Sequence, residues 1–216
     1  MVSQLVEWLN STVKIIVVGG NRGTGAQVVH QAARAGHEVA CLSRRGAPSL
    51  PAGVRNLRGD ALDPQVVAGA VAAADAVVVT VGGMSGSDRH RTRVTESVIA
   101  AMRDAGVRRL VVQSSLGVGD SMSLMPAAAR LFARTLLAGP LADHADQEAA
   151  VAASGLDWTV IRPGGLTDGP ASGDYIAQET SEGRQIKGRV SRADVASHIV
   201  GILADAATFG RAFTLG

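Results

Sequence analysis

Apolar residues along this chain fall in short, nearly unbroken runs separated by stretches of helical periodicity. Six runs read as strands: residues 13–18 (VKIIVV), 38–43 (EVACLS), 54–58 (VRNLR), 75–81 (DAVVVTV), 109–114 (RLVVQS) and 157–161 (DWTVI). The intervening pattern predicts helices near 24–35, 64–73, 88–105, 126–137 and 141–154, and another near 192–204. The strand runs do not alternate apolar with polar, so both faces of the sheet should be covered by helices. Strands and helices in alternation, joined by short connections, imply a parallel, doubly wound α/β sheet. No linker, repeat or low-complexity stretch divides residues 13–216, which read as one domain.

Two segments stand apart from this rhythm. Residues 1–12 carry Leu5, Trp8 and Leu9 at helical spacing without a basic leader, and read as an extension packing on the domain or on a neighbour rather than as a signal peptide. RPGGLTDGPASGDY, residues 162–175, is dense in Gly and Pro and reads as a long loop at the carboxyl edge of the sixth strand, where such sheets bind ligands.

Composition narrows the picture. Aromatics are only 3% of 216 residues against 46% hydrophobic, so the core must be aliphatic. Lys+Arg is 21 and Asp+Glu 19, the only lysines are Lys14 and Lys187, and the arginines are scattered rather than striped, which argues against nucleic acid. The one cysteine, Cys41, has no internal partner and sits in an apolar run, as expected of a small core residue in a reducing cytoplasm. No stretch reaches the roughly 18 uncharged apolar residues that span a bilayer. A soluble cytoplasmic protein, monomer or homodimer, acting on a small molecule and without a metal, is the expectation.

The candidate chemistry begins at GGNRGTG, between the first strand and the first helix. Gly19, Gly23 and Gly25 permit positive φ and a close approach of backbone to a pyrophosphate, whose charge the helix N-terminus favours. The strand–turn–helix setting turns a weak glycine triplet into a dinucleotide-binding expectation.

GGNRGTG resembles the glycine motif of the short-chain dehydrogenase/reductase superfamily. GDALD, TVGG, VVQSSLGVG, SGLDWTVIRPGGLTD and VSRADVA follow in the order of that family, covering residues 13 to about 204. The set is most similar to its atypical branch, the biliverdin-IX-beta/flavin reductases and NmrA-like NAD(P)-binding proteins. The resemblance implies a Rossmann-like doubly wound parallel sheet with helices on both faces, and a dinucleotide held by Gly19, Asn21, Arg22, Gly23, Thr24 and Gly25. It further implies Asp60 and Ala61 at the adenine, Val81, Gly82 and Gly83 on the ribose–phosphate side, and Pro163, Gly164 and Leu166 at the nicotinamide end.

An NAD-specific site usually places an acid at the end of the second strand. Here that strand ends in Ser43 followed by Arg44 and Arg45, and Arg22 stands in the glycine loop. A hydroxyl with guanidinium forks suits a 2′-phosphate, so NADP(H) is the expected cofactor.

The Tyr-x-x-x-Lys pair of the superfamily's standard members is absent: the only tyrosine, Tyr175, is followed four residues on by Glu179. Replacement candidates are Ser114 and Ser115, at the end of the fifth strand, and His144, which matches a histidine in the biliverdin/flavin reductase pattern. Strand-end hydroxyls satisfying backbone, and a surface or capping histidine, are the structural alternatives. Arg89, His90, Arg91 and Arg93 suit either an acidic ligand or a solvated helix face, while Ser191 with Asp194 reads as a helix cap. Three functions stay open: an NADPH-dependent reductase of a small conjugated acceptor such as a flavin, quinone, tetrapyrrole or polyketide-like carbonyl; a non-catalytic NADP(H)-binding redox sensor of NmrA type; and a non-redox epimerase or cyclase.

Overall fold

A computed structural model describes residues 12–47, 49–82, 88–180, 183, 185, 186 and 188–216. The chain runs β1 (Lys14–Val18), α1 (Gly23–Arg34), β2 (Glu38–Ser43), β3 (Arg55–Arg58), α2 (Pro64–Val71), β4 (Ala76–Val79), α3 (His90–Ala105) and β5 (Arg109–Gln113). A 3-10 turn (Gly119–Leu124) leads to α4 (Ala127–Leu136) and α5 (Ala138–Ala152), then β6 (Asp157–Pro163), β7 (Gly165–Thr167) and β8 (Ala177–Gln178). The chain closes with β9 (Arg189–Ser191), α6 (Arg192–Gly201), a 3-10 turn (Ala206–Thr208) and β10 (Arg211–Leu215).

The main sheet has the order β3-β2-β1-β4-β5-β6-β10-β8, parallel throughout except for β8 against β10. This is a Rossmann-like fold. All six expected strands are present. Strand alternation divides the core in two: Ile16 and Val18 of β1 face α2, α3 and α5, while Ile15 and Val17 face α1 and α6.

Four strands lie outside the sequence expectation. Within the 162–175 segment β6 runs on to Pro163, and β7 pairs with β9 in a two-stranded sheet. β10 and β8 extend the main sheet at its far edge. β3, RNLR, does not fit the rule of strands covered on both faces: it is the outer strand beside β2, and its residues are largely exposed. Residues 1–11 of the expected N-terminal extension lie outside the described residues.

Two buried carboxylates fix the segments that frame the ligand edge. Asp143 of α5 accepts from the backbone N–H of Arg91 and of Thr92 and pairs with the Arg91 guanidinium at 3.1 Å, so α5 caps the start of α3. Asp194 of α6 accepts from the backbone N–H groups of Ser172 and Gly173, both at 2.8 Å, and pins the loop after β7. Such multiple acceptance favours the ionised form, and both carboxyls titrate below their ordinary range although burial opposes this. Ser191 accepts from the Asp194 N–H at 2.9 Å, the expected cap.

Candidate functional site

A cleft of about 580 Å³ opens along the carboxyl ends of β1, β2 and β4, the crevice where the strand order reverses. Its floor is the glycine loop. Gly19 adopts φ +87°, and its N–H donates to Leu42 O at 2.9 Å. A Cβ on Gly19 would stand 3.1 Å from Thr80 C and Val81 N, so only glycine lets the loop lie against the end of β4. Gly25 plays the other part. It does not line the cleft, but lets α1 pack directly on the loop. The N-terminus of α1 has no side-chain cap and no acidic residue in its first turn, which leaves its amide groups and dipole facing the cleft for an anion.

Asn21, Arg22, Gly23 and Thr24 line this floor as expected. Ser43, Arg44 and Arg45 form the wall after β2, and Asp60 and Ala61 the wall after β3. Asp60 Oδ1 accepts from Leu62 N at 3.0 Å, while the cap of α2 is Asp63, accepting from Gln65 N. Val81 and Gly82 follow β4 along the rim, and Leu166 closes the far end. Gly83 lies outside the described residues.

Other candidates fall elsewhere. Pro163 and Gly164 are not among the residues lining the cleft: Pro163 O accepts from Leu116 N, and Gly164 N donates to Leu215 O at 2.8 Å. Ser114 and Ser115 stand just behind the lining residue Gln113. The Ser115 hydroxyl donates to Leu116 O at 3.1 Å. Ser114 Oγ is buried, with no hydrogen-bond partner among the described residues.

His144 is brought to the α3–α5 interface, not to the cleft. Its Nδ1 meets Gln147 Oε1 at 3.1 Å, and Gln147 in turn donates to Thr95 Oγ1. Burial, reinforced by the Arg91 cation, lowers its pKa to about 4, so it is neutral near pH 7. The 89–93 cluster divides: Arg89 pairs with Asp146 and Arg91 with Asp143, Arg93 is exposed, and His90 alone lines the cleft. Tyr175 lies at the far edge, its hydroxyl 3.4 Å from His198 Nδ1.

The cleft also holds side chains absent from the sequence expectation: Thr80, Gln113, Asp168 and Arg192. Arg192, the first residue of α6, reaches over the glycine loop and pairs with Asp168 at 2.8 Å.

Two orphaned polar atoms test whether a dinucleotide suits the lining. Ser43 Oγ is buried at the end of β2 with no hydrogen bond of ordinary geometry, although it lies beside the Cys41 thiol, whose burial-driven rise in pKa it partly offsets. Gln113 Oε1 is likewise buried, with no partner among the described residues. Buried polar groups normally find partners, so both atoms have hydrogen-bonding capacity to offer a ligand in the cleft. With Arg22, Arg44 and Arg45 also in the lining, the residues fit a dinucleotide.

A family model described as NAD(P)H-binding matches residues 19–206. A Bacillus subtilis protein, YhfK, named as an uncharacterised sugar epimerase, is 27% identical over 94% of this chain and 93% of its own length. The 2-alkyl-3-oxoalkanoate reductase of Stenotrophomonas maltophilia is 38% identical over 49% of this chain, a segment amounting to 34% of that protein. Among solved structures, the anaerobilin reductase ChuY of Escherichia coli O157:H7 superposes with a TM-score of 0.77 at 28% identity, covering 94% of this chain and 96% of its own. A Veillonella parvula short-chain dehydrogenase/reductase, solved in complex with NADP, shares the fold at 22% identity and TM-score 0.78, covering 95% of each chain.

Proposed function

The chain belongs to the NAD(P)H-binding family, and from that premise we propose that it is an NADPH-dependent reductase that delivers hydride to a small conjugated acceptor. The observation that carries the cofactor choice is Ser43, a buried, unpartnered hydroxyl at the end of β2 with Arg44 and Arg45 beside it and no acid at that position. A carboxylate there would bind a free 2′-hydroxyl; a hydroxyl and guanidinium groups suit a 2′-phosphate.

When bound, NADPH supplies the hydride. The chain's own part is to bind, orient and exclude water. The α1 N-terminus and glycine loop receive the pyrophosphate, Asp60 and Ala61 flank the adenine, and Val81, Gly82 and Leu166 line the way to the reacting end. Gln113, which lines the cleft at the end of the central strand β5, is placed to engage an acceptor oxygen or N–H, and Ser114 stands directly behind it. With His144 held neutral at a helix interface, the net proton for the reduced acceptor comes from solvent, directly or relayed through the Ser114 hydroxyl, which regains a proton from water. The resemblance to flavin and biliverdin reductases, together with the fold-wide likeness to anaerobilin reductase, supports a flavin, quinone or tetrapyrrole as the acceptor class.

The name of the full-length Bacillus relative favours a second reading, epimerisation with the nucleotide retained. One experiment separates the two. Following the nicotinamide absorbance with flavin mononucleotide or a quinone present, a reductase consumes NADPH stoichiometrically. Tight NADPH binding with no consumption by any acceptor of this class would reject the reductase reading.

A further inference from the structure

Arg192 lies on the chain far from the glycine loop, yet it roofs it. From the position a Cβ on Gly23 would take, Arg192 Nε is 3.6 Å away and Cδ 3.7 Å. The guanidinium therefore stands above the first residue of α1, at the N-terminus left without a side-chain cap. Its one hydrogen bond among the described residues is from Nη1 to Asp168 Oδ1. A guanidinium carries five N–H donors in a fixed fork, so most of this one's donors are available. Its partner is a weak anchor, since the Asp168 side chain is 92% exposed against 29% for Arg192 and a solvated ion pair of this kind is readily exchanged. Both residues line the cleft that holds the glycine loop.

We propose that Arg192 is a pyrophosphate clamp that rests on Asp168 when the cleft holds no dinucleotide and transfers its donors to the pyrophosphate oxygens when one binds. The inference rests on the dinucleotide reading above and deepens it. On that reading Arg44 and Arg45, which follow Ser43, select the 2′-phosphate, whereas Arg192, above Gly23, holds what NADPH and NADH have in common. Because it opens α6 immediately after β9, and Asp168 follows β7, the transfer exchanges a side-chain link between the ends of that strand pair for a link from α6 to the ligand.

The test is equilibrium titration of wild type, Arg192→Gln and Asp168→Asn with NADPH and NADH, plus adenosine 2′-monophosphate as a probe lacking the pyrophosphate. Charge-assisted hydrogen bonds of this type are worth roughly tenfold or more in affinity. Arg192→Gln should weaken NADPH and NADH by the same factor, about tenfold, and leave adenosine 2′-monophosphate unchanged. Asp168→Asn, a change at an exposed position, should tighten both dinucleotides by removing the competing anion, and it serves as the test should Arg192→Gln fail to fold. Unchanged affinity in Arg192→Gln, a loss confined to NADPH, or an equal loss for adenosine 2′-monophosphate would overturn the clamp. Unchanged or weakened binding in Asp168→Asn would overturn the resting role of Asp168. Failure of the wild type to bind either dinucleotide would overturn the underlying reading and the clamp with it, whereas normal wild-type binding with an inert Arg192→Gln overturns the clamp alone.

Discussion

Gly25 in the first turn of α1 lies directly against Thr80 past the end of β4: a Cβ on the glycine would collide with Thr80 Oγ1 and with Gly19 O. Neither atom can retreat freely, since Thr80 Oγ1 is bonded to Val18 O and Gly19 O belongs to the loop itself. Gly25→Ala should therefore cost about 1–3 kcal/mol by overpacking, despite the better helix propensity of alanine. It should also displace the loop and abolish tight NADPH binding. Thermal unfolding and NADPH titration of the variant check both; a stable variant with wild-type affinity would contradict this packing.

Arg44→Ala should weaken NADPH by about tenfold to a hundredfold through loss of charged hydrogen bonds to the 2′-phosphate, and leave NADH nearly unchanged. The ratio of the two dissociation constants is the readout. Equal loss for both would move Arg44 away from the 2′-phosphate.

Ser114→Ala should separate stability from chemistry. Because Ser114 Oγ is buried without a partner, its removal should leave stability within about 0.5 kcal/mol or raise it. Acceptor-dependent NADPH oxidation should fall about tenfold if the hydroxyl engages the acceptor, a typical loss for a positioned donor. Steady-state kinetics beside a denaturation curve measures the two; an unchanged rate would leave the protonation to solvent.

Acid should destabilise the protein well above the ordinary carboxylate range. His144 has its folded pKa lowered to about 4 from 6.5, so the unfolded chain binds its proton first. The stability this group contributes is complete above pH 6.5 and is lost as pH falls toward 4, on the order of 3 kcal/mol in all. His37 and His198, also lowered by burial, act with the same sign. Below that window the depressed carboxyls of Asp143 and Asp194 continue the loss. Denaturant midpoints between pH 7.5 and 4 give the curve, and His144→Gln should flatten it between 6.5 and 4. A variant as acid-sensitive as wild type would remove His144 as the cause.

The fold was legible where burial writes itself into composition. VKIIVV and DAVVVTV cannot be placed with a wet face, so β1 and β4 followed from their residues alone. β10, RAFTL, escaped notice because it mixes polar and apolar residues, and only its pairing with β6 gives it a place. The same division runs through the site. The glycine loop, Ser43, Arg44, Asp60, Ala61, Val81, Gly82 and Leu166 could be read because each follows a recognisable strand in a familiar motif. Arg192 could not: its neighbour Ser191 signals a helix cap, and nothing local says that the next side chain reaches across to Gly23. His144 shows the opposite failure, a residue type with the right intrinsic pKa whose helix turns it toward Gln147.

The outermost part of the sheet sets what loss of the last strand would undo. Gly164 N donates to Leu215 O, and Ile176 and Gly216 exchange both of their backbone hydrogen bonds, so the end of β6 and the loop after β7 are stitched to residues 215 and 216. The glycine loop, β2 and β4 make none of these bonds. Removing Leu215 and Gly216 would therefore loosen the far wall of the cleft, where Leu166 and Asp168 stand, and leave the wall built on the glycine loop in place.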